Sequence, residues 1–318
     1  SGTTGIPKIL FRSFESWADF FAIQNAVFGV DADSRLFVQG SLAFTGNLNL
    51  YMGQLAAGGT LIAEDVFLPG KWEQVMARER ANGIYLIPSK LLMLPRVFKS
   101  VNANIRTIIS GSQSLGRKDA EVLKKIFPNT EITLYYGASE LNYITYVKSA
   151  DMTEERNLIG KPFPGVRVFI QDDEMYVDNA FHVENITVPY SLKDSGRMDL
   201  QGNFYFLGRT DDIVGVRGRK VSMMKIENAL EEVAGITEAA VVLLPKEKDA
   251  DMPAEIVSAF VTVEGTDVPE NLRQQLKEKL ADFEIPKRVI VLEAFPKNTS
   301  GKVDKARLKK MWIEQEPQ

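Results

Sequence analysis

The sequence predicts an α/β protein: a large sheet domain with crossover helices and a small β-barrel-like subdomain, followed by a small C-terminal α+β domain. Three changes of pattern along the chain predict this class. Helical patterns alternate with short apolar runs over residues 13–140. Short strands with polar turns then follow as far as Gly208, and after Asp211 a new series of strands and helices begins.

The break near Asp211 predicts a domain boundary, because no hydrophobic face is built over residues 209–212. The predicted N-terminal domain covers residues 1–210, with an α/β part over 1–150 and a β-rich part over 151–210; the predicted C-terminal domain covers 211–318.

The individual elements follow from apolar runs and helical periodicity. In the first part we predict strands at Arg35–Gln39, Thr60–Ala63, Gly83–Ile87, Ile105–Ile109 and Glu131–Tyr135, and helices at Ser16–Phe28, Asn47–Ala57, Lys71–Asn82, Ser89–Phe98 and Gly116–Phe127. In the β-rich part we predict strands at Val166–Ile170, Glu174–Val177, Ala180–Val183 and Asn203–Leu207. In the C-terminal part we predict helices at Met224–Val233, Pro269–Asp282 and Asp304–Trp312, and strands at Glu238–Leu244, Ile256–Val263 and Arg288–Leu292.

Composition excludes several function classes. With 318 residues, 45% of them hydrophobic, the chain can bury a large core. A formal net charge of -4 gives no reason to expect nonspecific nucleic-acid binding, which needs a basic face. No apolar run approaches the roughly 20 residues that span a bilayer.

The absence of cysteine excludes a disulfide framework, a thiolate zinc site and a cysteine nucleophile, and it suits a reducing compartment such as the cytoplasm. His182 is the only histidine, so Ser-His-Asp hydrolysis and multi-histidine metal sites are excluded within one chain. We expect His182 to be a plain surface or barrel residue.

Two kinds of loop in this chain suit a nucleotide. The stretch Ser1–Lys8, SGTTGIPK, has three hydroxyls, two glycines and a lysine, which suits phosphate binding by backbone N–H groups and side-chain donors, although such loops are also common connectors. The loops Ser110–Leu115 and Tyr135–Glu140 directly follow predicted strands, where open sheets bind their ligands. The small residues of the first would let an adenine or a ribose approach the backbone.

Five motifs, in order, resemble the adenylate-forming superfamily of acyl-CoA synthetases, luciferases and peptide-synthetase adenylation domains. SGTTGIPK resembles the phosphate loop of the family, and YYGASE resembles its YGxTE element with serine in place of threonine. GKPFPGV at 160–166 resembles a glycine-proline segment of the family, and Asp194 is the one remaining residue of the family's TGD. PKNTSGKVDK at 296–305 resembles the C-terminal catalytic loop. The last is the most specific. The family has a substantial portion ahead of its phosphate loop, so we expect this chain to lack that portion.

The resemblance implies roles for particular residues. Lys302 and Glu140 would be catalytic, Glu140 by holding Mg²⁺, Tyr136 would stack on adenine, Ser139 would touch phosphate, and Asp211 would be the hinge between the domains. The residues implied to bind the nucleotide or CoA are Ser1, Gly2, Thr3, Thr4, Gly5, Lys8, Gly111, Ser112, Gln113, Tyr136, Gly137, Ser139, Asp194, Arg209 and, in a close-packed turn beside the pantetheine path, Gly218.

The implied chemistry has two steps: a carboxylate attacks the α-phosphorus of ATP and gives an acyl-adenylate, and a thiol then displaces AMP. ATP and Mg²⁺ are the implied cofactors and CoA is the implied co-substrate. Among carboxylic acids, we expect a fatty acid to be the substrate. Two alternatives stay open, an adenylation enzyme that loads a carrier protein and a truncated inactive homologue. We also expect a homodimer. Leu42, Phe44, Leu48, Tyr143 and Ile144 are candidates for an apolar pocket, although they also suit a core.

Overall fold

In the computed structural model, the structure describes residues 9–42, 44–210, 213–216, 218–246, 255–297 and 303–314. These residues form two compact units. The first runs up to Leu192 and resumes for Gly196–Phe206, and the second takes Lys193–Ser195 and the chain from Leu207 onward. Two strands, Tyr190–Met198 and Phe204–Arg209, contribute to both units, so the domain boundary predicted at 210/211 stays a prediction.

The first unit is built on a parallel sheet. Its strands pair in the order β2-β1-β3-β4-β5, all parallel, so that Leu36 of β1 lies opposite Leu61 of β2 and Gly83 of β3. Helices connect the strands, as the alternating pattern predicts. In chain order the elements are α1 (Glu15–Phe28), β1 (Arg35–Gln39), α2 (Thr45–Ala56), β2 (Thr60–Glu64), α3 (Pro69–Arg78), β3 (Gly83–Tyr85), α4 (Pro88–Leu91), α5 (Leu94–Val97), β4 (Thr107–Gly111), α6 (Arg117–Ile126) and β5 (Glu131–Ala138).

Neighbouring residues of these strands enter two different cores, because successive side chains of a strand point to opposite faces. Phe37, Ile84, Ile108 and Leu134 pack with Trp72 in one cluster. The residues next to them in sequence pack in a second cluster, which is rich in aromatic rings: Val38, Tyr85, Ile109 and Tyr135 with Phe20, Phe28, Tyr143 and Phe163. The continuous burial of β4 on both faces is the behaviour of a central parallel strand.

Antiparallel strands extend the same sheet beyond β5. The strand order continues β6-β7-β11-β10-β9-β8. Among the described strands, the β-rich part therefore continues the large sheet, and β8 is the strand at its edge. These strands are β6 (Asn142–Lys148), β7 (Leu158–Pro162), β8 (Arg167–Gln171), β9 (Glu174–Asp178), β10 (Tyr190–Met198) and β11 (Phe204–Arg209).

The strand predicted at Ala180–Val183 is wrong, and the segment is irregular. Its backbone groups are used locally: Phe181 N donates to Asn179 Oδ1 at 2.8 Å, and Val183 N donates to Glu140 O at 2.9 Å. These bonds fold the segment against the turn that follows β5, so no ladder forms.

The second unit contains a hairpin and a three-stranded sheet with helices. The sheet has the order β14-β15-β16, antiparallel and then parallel, and Ser222 caps α7 by accepting a hydrogen bond from Lys225 N at 3.3 Å. Its elements are β12 (Ile213–Val216), β13 (Arg219–Ser222), α7 (Met223–Glu231), β14 (Ile236–Pro245), β15 (Glu255–Val263), α8 (Leu272–Lys277), β16 (Arg288–Val291) and α9 (Lys305–Glu314).

Among the described helices, none is both long enough and apolar enough to cross a membrane.

Candidate active site

The candidate site lies where β4 and β5 end. These strands are parallel neighbours, so the loop Ser110–Leu115 after β4 and the turn Ala138–Asn142 after β5 emerge at the same edge of the sheet. Ligands bind at this edge in open α/β sheets. The structure thus brings two of the loops selected from the sequence together.

Gly111 is needed for a contact inside the protein. A Cβ at this position would lie 2.4 Å from Cζ of Tyr135, so the Tyr135 ring covers the face of the glycine. We expected small residues here to let a nucleotide approach the backbone. At Gly111 this is not met on the side where a Cβ would lie, because the Tyr135 ring already occupies that space. Its part in nucleotide binding stays a prediction.

The next two residues of this loop differ in accessibility. Ser112 is exposed and has φ 69°, a left-handed conformation that is uncommon for a residue with a side chain. Gln113 is half-buried, and its Oε1 accepts a hydrogen bond from Ser89 N at 2.9 Å at the start of α4. Gln113 therefore ties the loop to α4, while Ser112 faces solvent.

Tyr136 and Gly137 lie at the end of β5, directly before the turn. The half-buried Tyr136 ring has its centroid 5.9 Å from that of Phe206 on β11, so Phe206 is an aromatic neighbour of the residue expected to stack on adenine. At Gly137 the register between β5 and β6 shifts, and a Cβ would lie 2.6 Å from Asn142 O. Only glycine fits this crossing of the two strands.

Ser139 and Glu140 stand at the tip of this turn and are half-buried. The Ser139 hydroxyl donates to Thr45 Oγ1 at 3.1 Å, which joins the turn to the first residue of α2. Arg12 Nη2 donates to Ser139 O at 3.0 Å, and Glu140 O accepts from Val183 N. The backbone of the tip is therefore held from two sides.

The donor set around Glu140 fits Mg²⁺. In the described part of the chain no group of three or more Asp, Glu, His or Cys residues is placed to hold a metal ion. Mg²⁺ is commonly held by one or two carboxylates together with substrate phosphates and water, so a single half-buried glutamate is compatible with Mg²⁺. The described residues do not offer the closed cage of protein ligands that other metals need.

Three tyrosine hydroxyl groups lie beneath this region. Tyr85 and Tyr135 share a hydrogen bond of 2.9 Å between their hydroxyls, and Tyr143 OH donates to Gly46 O at 3.4 Å. Burial raises the pKa of Tyr135 to about 12 and raises the pKa of Tyr85 and Tyr143 well above the usual value. They are neutral near pH 7 and act here as fixed hydrogen-bonding groups.

Asp194 and Arg209, the two residues expected at a ribose, form an ion pair. Arg209 Nε lies 3.5 Å from Asp194 Oδ1; the Asp194 side chain is 5% exposed and that of Arg209 53% exposed. Lys193, in the position before the aspartate, has φ 63°. The carboxylate thus lies within β10, directly after a residue with a left-handed backbone and beside an arginine.

The remaining predicted residues are divided between described and undescribed parts of the chain. Gly218 has φ 77°, and an added Cβ would meet no described atom within 4 Å. The expectation of a close-packed turn is not met among the described atoms, and the left-handed backbone is what requires glycine there. Outside the described residues lie Ser1, Gly2, Thr3, Thr4, Gly5, Lys8, Asp211 and Lys302.

The five candidates for an apolar pocket do not share one environment. Leu42 and Phe44 are 55% and 44% exposed and Leu48 is half-buried, whereas Tyr143 and Ile144 are buried in the aromatic core. His182 is half-buried, and its Nδ1 lies 2.7 Å from Val183 O.

Sequence patterns missed four residues of the site. Arg12 and Thr45 contact the turn after β5, Asn142 belongs to it, and Phe206 contacts Tyr136 at the end of β5. Arg12 and Ser139 are 127 positions apart, so no local pattern connects them. The one available signal was Gly137 in β5, because a glycine inside a strand indicates a close approach of another backbone without identifying the residues that approach.

Two family models match the chain. A model described as AMP-binding enzyme matches residues 1–180, and a model described as AMP-binding enzyme C-terminal domain matches residues 225–302.

Three curated relatives span nearly the whole of this chain. An uncharacterised acyl–CoA ligase of Bacillus subtilis is 27% identical over 338 aligned residues, which cover 100% of this chain and 68% of the relative. A 2-succinylbenzoate–CoA ligase of Listeria monocytogenes is 26% identical, with 97% and 68% covered. A linear gramicidin synthase of Brevibacillus parabrevis is 27% identical, with 97% of this chain and 7% of that protein covered.

Solved structures show the same fold. An amide bond synthetase from Marinactinospora thermotolerans superposes with a TM-score of 0.84 at 24% identity, over 98% of this chain and 68% of that one. The O-succinylbenzoate coenzyme A synthetase of Bacillus subtilis, solved with ATP and magnesium, superposes with a TM-score of 0.83 at 20% identity, over 97% and 68%.

Proposed function

The chain belongs to the AMP-binding enzyme family, and from that premise we propose that it joins a carboxylic acid to the thiol of coenzyme A. As a member it is an ATP-dependent ligase of the AMP-forming type. The observation that carries the proposal is the turn Ala138–Asn142, which lies beside the loop after β4 at the ligand-binding edge of the sheet.

The first half-reaction is the attack of the acid carboxylate on the α-phosphorus of ATP, with release of pyrophosphate. Negative charge builds on the phosphate oxygens, so the protein must supply fixed cations and donors and needs no histidine base. We assign Mg²⁺ binding to Glu140, phosphate contact to Ser139 and the loop Ser1–Lys8, and a positive charge that serves this step alone to Lys302. Mg²⁺ supplies further charge compensation at the phosphates when bound.

The adenosine part is assigned to groups that the described structure supports. The half-buried Tyr136 offers a ring face for the adenine, and the Asp194–Arg209 pair offers an acceptor and a cation for the ribose. In the second half-reaction the thiol attacks the acyl carbon and AMP leaves. We propose that the C-terminal domain, residues 211–318, turns about Asp211 for this step, and that Gly218 lies on the path of the pantetheine.

A fatty acid is our proposal for the substrate, and a carrier protein is the alternative acceptor. Two relatives described as putative long chain fatty acid–CoA ligases, from Staphylococcus haemolyticus and Staphylococcus epidermidis, support the first, while the gramicidin synthase supports the second. The absence of cysteine supports a reducing compartment such as the cytoplasm. The homodimer stays a prediction.

ATP–pyrophosphate exchange tests the proposed function. The full chain would be screened against straight-chain fatty acids, aromatic acids and amino acids with MgATP and labelled pyrophosphate. Exchange that depends on one class of acid is the expected result, and product formation with CoA or with a phosphopantetheinylated carrier then separates the two acceptors. A chain that binds MgATP but exchanges with none of the acids would support the inactive homologue instead.

A further inference from the structure

Arg12 is a cation that the proposed mechanism does not use. It lies four positions after Lys8, and its guanidinium donates to three backbone carbonyl oxygens: Phe181 O at 2.8 Å, Ser139 O at 3.0 Å and Ser16 O at 3.3 Å. Two of these carbonyls are more than 100 positions away in sequence. One side chain therefore joins three segments of the first unit.

The charge of Arg12 is not used for an ion pair within the described residues, where its polar partners are the three carbonyls and the Ser16 hydroxyl at 3.4 Å. Burial lowers the pKa of Arg12 to about 10, so the group is still charged at neutral pH. Taking a guanidinium partly out of water is unfavourable unless its N–H groups are satisfied, and here carbonyls satisfy them.

Three further hydrogen bonds run parallel to the contacts of Arg12. Glu184 N donates to Phe11 O at 2.8 Å, Val183 N donates to Glu140 O at 2.9 Å, and Asn179 Nδ2 donates to Leu141 O at 3.0 Å. The segments 11–16, 139–141 and 179–184 thus form a closed ring of contacts. Arg12 is the one described side chain in this ring that reaches both of the other segments.

We propose that Arg12 is a positioning residue for the nucleotide site, which holds Ser139 and Glu140 in place relative to the segment that directly follows Ser1–Lys8. The planar guanidinium fork suits this task because it can donate in two directions at once. The proposal rests on the proposed function only in taking Ser139 and Glu140 as the residues that face MgATP.

Arg12→Lys and Arg12→Met test the proposal, with Arg106→Lys as the matched control. Lysine keeps the charge but replaces the rigid fork by a single ammonium, and methionine keeps only an apolar stem. Arg106 is exposed and lies just before β4, at the end of the strand opposite to the site. The measurements are KM for MgATP and kcat in pyrophosphate exchange, amide hydrogen exchange of peptides covering residues 138–145, and thermal unfolding.

For Arg12→Lys we expect KM for MgATP to rise about tenfold, which corresponds to about 1.4 kcal/mol, with kcat changed less than about threefold and faster amide exchange at 138–145. Arg12→Met should show a larger change in the same direction, and Arg106→Lys should match the wild type. A residue that only supports the fold would instead lower the unfolding temperature while KM and local exchange in the folded protein stayed unchanged.

Failure of the proposed function is distinguishable from failure of this inference. If the wild type exchanges pyrophosphate with no acid, MgATP affinity is measured directly by equilibrium binding, and the amide exchange of 138–145 is compared between the variants. An Arg12→Lys protein that is folded, binds MgATP within about twofold of the wild type and shows unchanged exchange at 138–145 would overturn the assignment of Arg12. If MgATP binds to neither protein, unchanged amide exchange alone overturns it.

Discussion

Gly137→Ala is the sharpest test of the crossing between β5 and β6. The added Cβ would lie 2.6 Å from Asn142 O and 3.2 Å from Tyr143 Cα, both backbone atoms. The first contact is about 0.8 Å shorter than the 3.4 Å at which ordinary van der Waals contact begins. Backbone atoms of a paired strand cannot swing aside as a flexible side chain does, so the two strands must separate locally.

Overpacking of this kind costs about 1–3 kcal/mol of folding free energy. The strain is released most easily in the turn that follows, which carries Ser139 and Glu140, so we expect MgATP affinity to fall along with stability. Urea unfolding followed by tryptophan fluorescence gives the first quantity, and equilibrium binding of MgATP gives the second.

Gly70→Ala is the matched control for this substitution. Gly70 lies in the first turn of α3, has no left-handed φ, and an added Cβ would meet nothing within 4 Å. Alanine there should be neutral or slightly stabilising, because it reduces the freedom of the unfolded chain. If Gly137→Ala and Gly70→Ala give the same unfolding midpoint and the same affinity, the crossing is looser than the distances state and the strain argument is wrong.

Three further predictions concern the chemistry of the site. Lys302→Ala should slow adenylate formation by orders of magnitude and nearly retain thioester formation from supplied acyl-adenylate; equal loss in both half-reactions, measured separately, would contradict this division. Glu140→Gln should weaken MgATP binding, measured by titration with Mg²⁺, with little change in thermal unfolding without ligand; a large fall in unfolding temperature would favour a structural role. The pKa of Tyr135 is raised from 10.0 to about 12, so the folded state holds this proton more tightly than the unfolded state. The resulting contribution to stability is complete below pH 10 and is lost as the pH rises to about 12. Urea unfolding across this range should show the decline in stability, and Tyr135→Phe should make that decline smaller.

The parallel part of the sheet could be predicted because its signals are local. The prediction of Arg35–Gln39 coincides with β1, and the short apolar runs at β2 and β5 placed those strands within three residues at either end. The predicted helix Ser89–Phe98 divides into α4 and α5. Pro95 lacks an N–H and lies in the first turn of the second helix, which explains the division.

The antiparallel strands could not be predicted from local signals to the same extent. The sequence did not predict β6, β7 or β10. Asn142–Lys148 follows a motif interpreted as a loop, and Tyr190–Met198 contains four charged or glycine positions. All three strands pair with neighbouring strands of the sheet. The candidate site shows the same limit, because its motifs are local whereas the contacts of Arg12 join distant segments.

The turn after β5 also shows how a buried polar side chain can fix a loop of the candidate site. Asn142 has φ 65°, a conformation that asparagine adopts more readily than most residues, and the residue is 2% exposed. Its Oδ1 accepts from Asn49 Nδ2 at 2.7 Å and from Tyr143 N at 2.9 Å, so the amide satisfies a buried donor from α2 and one from β6. A glycine would permit the same backbone but remove the oxygen that accepts from both donors, which we expect to cost more than the backbone strain saves. Asn142 and the contact of Arg12 with Ser139 O therefore hold the turn in place before any ligand binds. Electrostatic stabilisation of a transition state depends on donors and charges that do not have to reorganise during the reaction. A turn held in this way meets that requirement for the proposed nucleotide site.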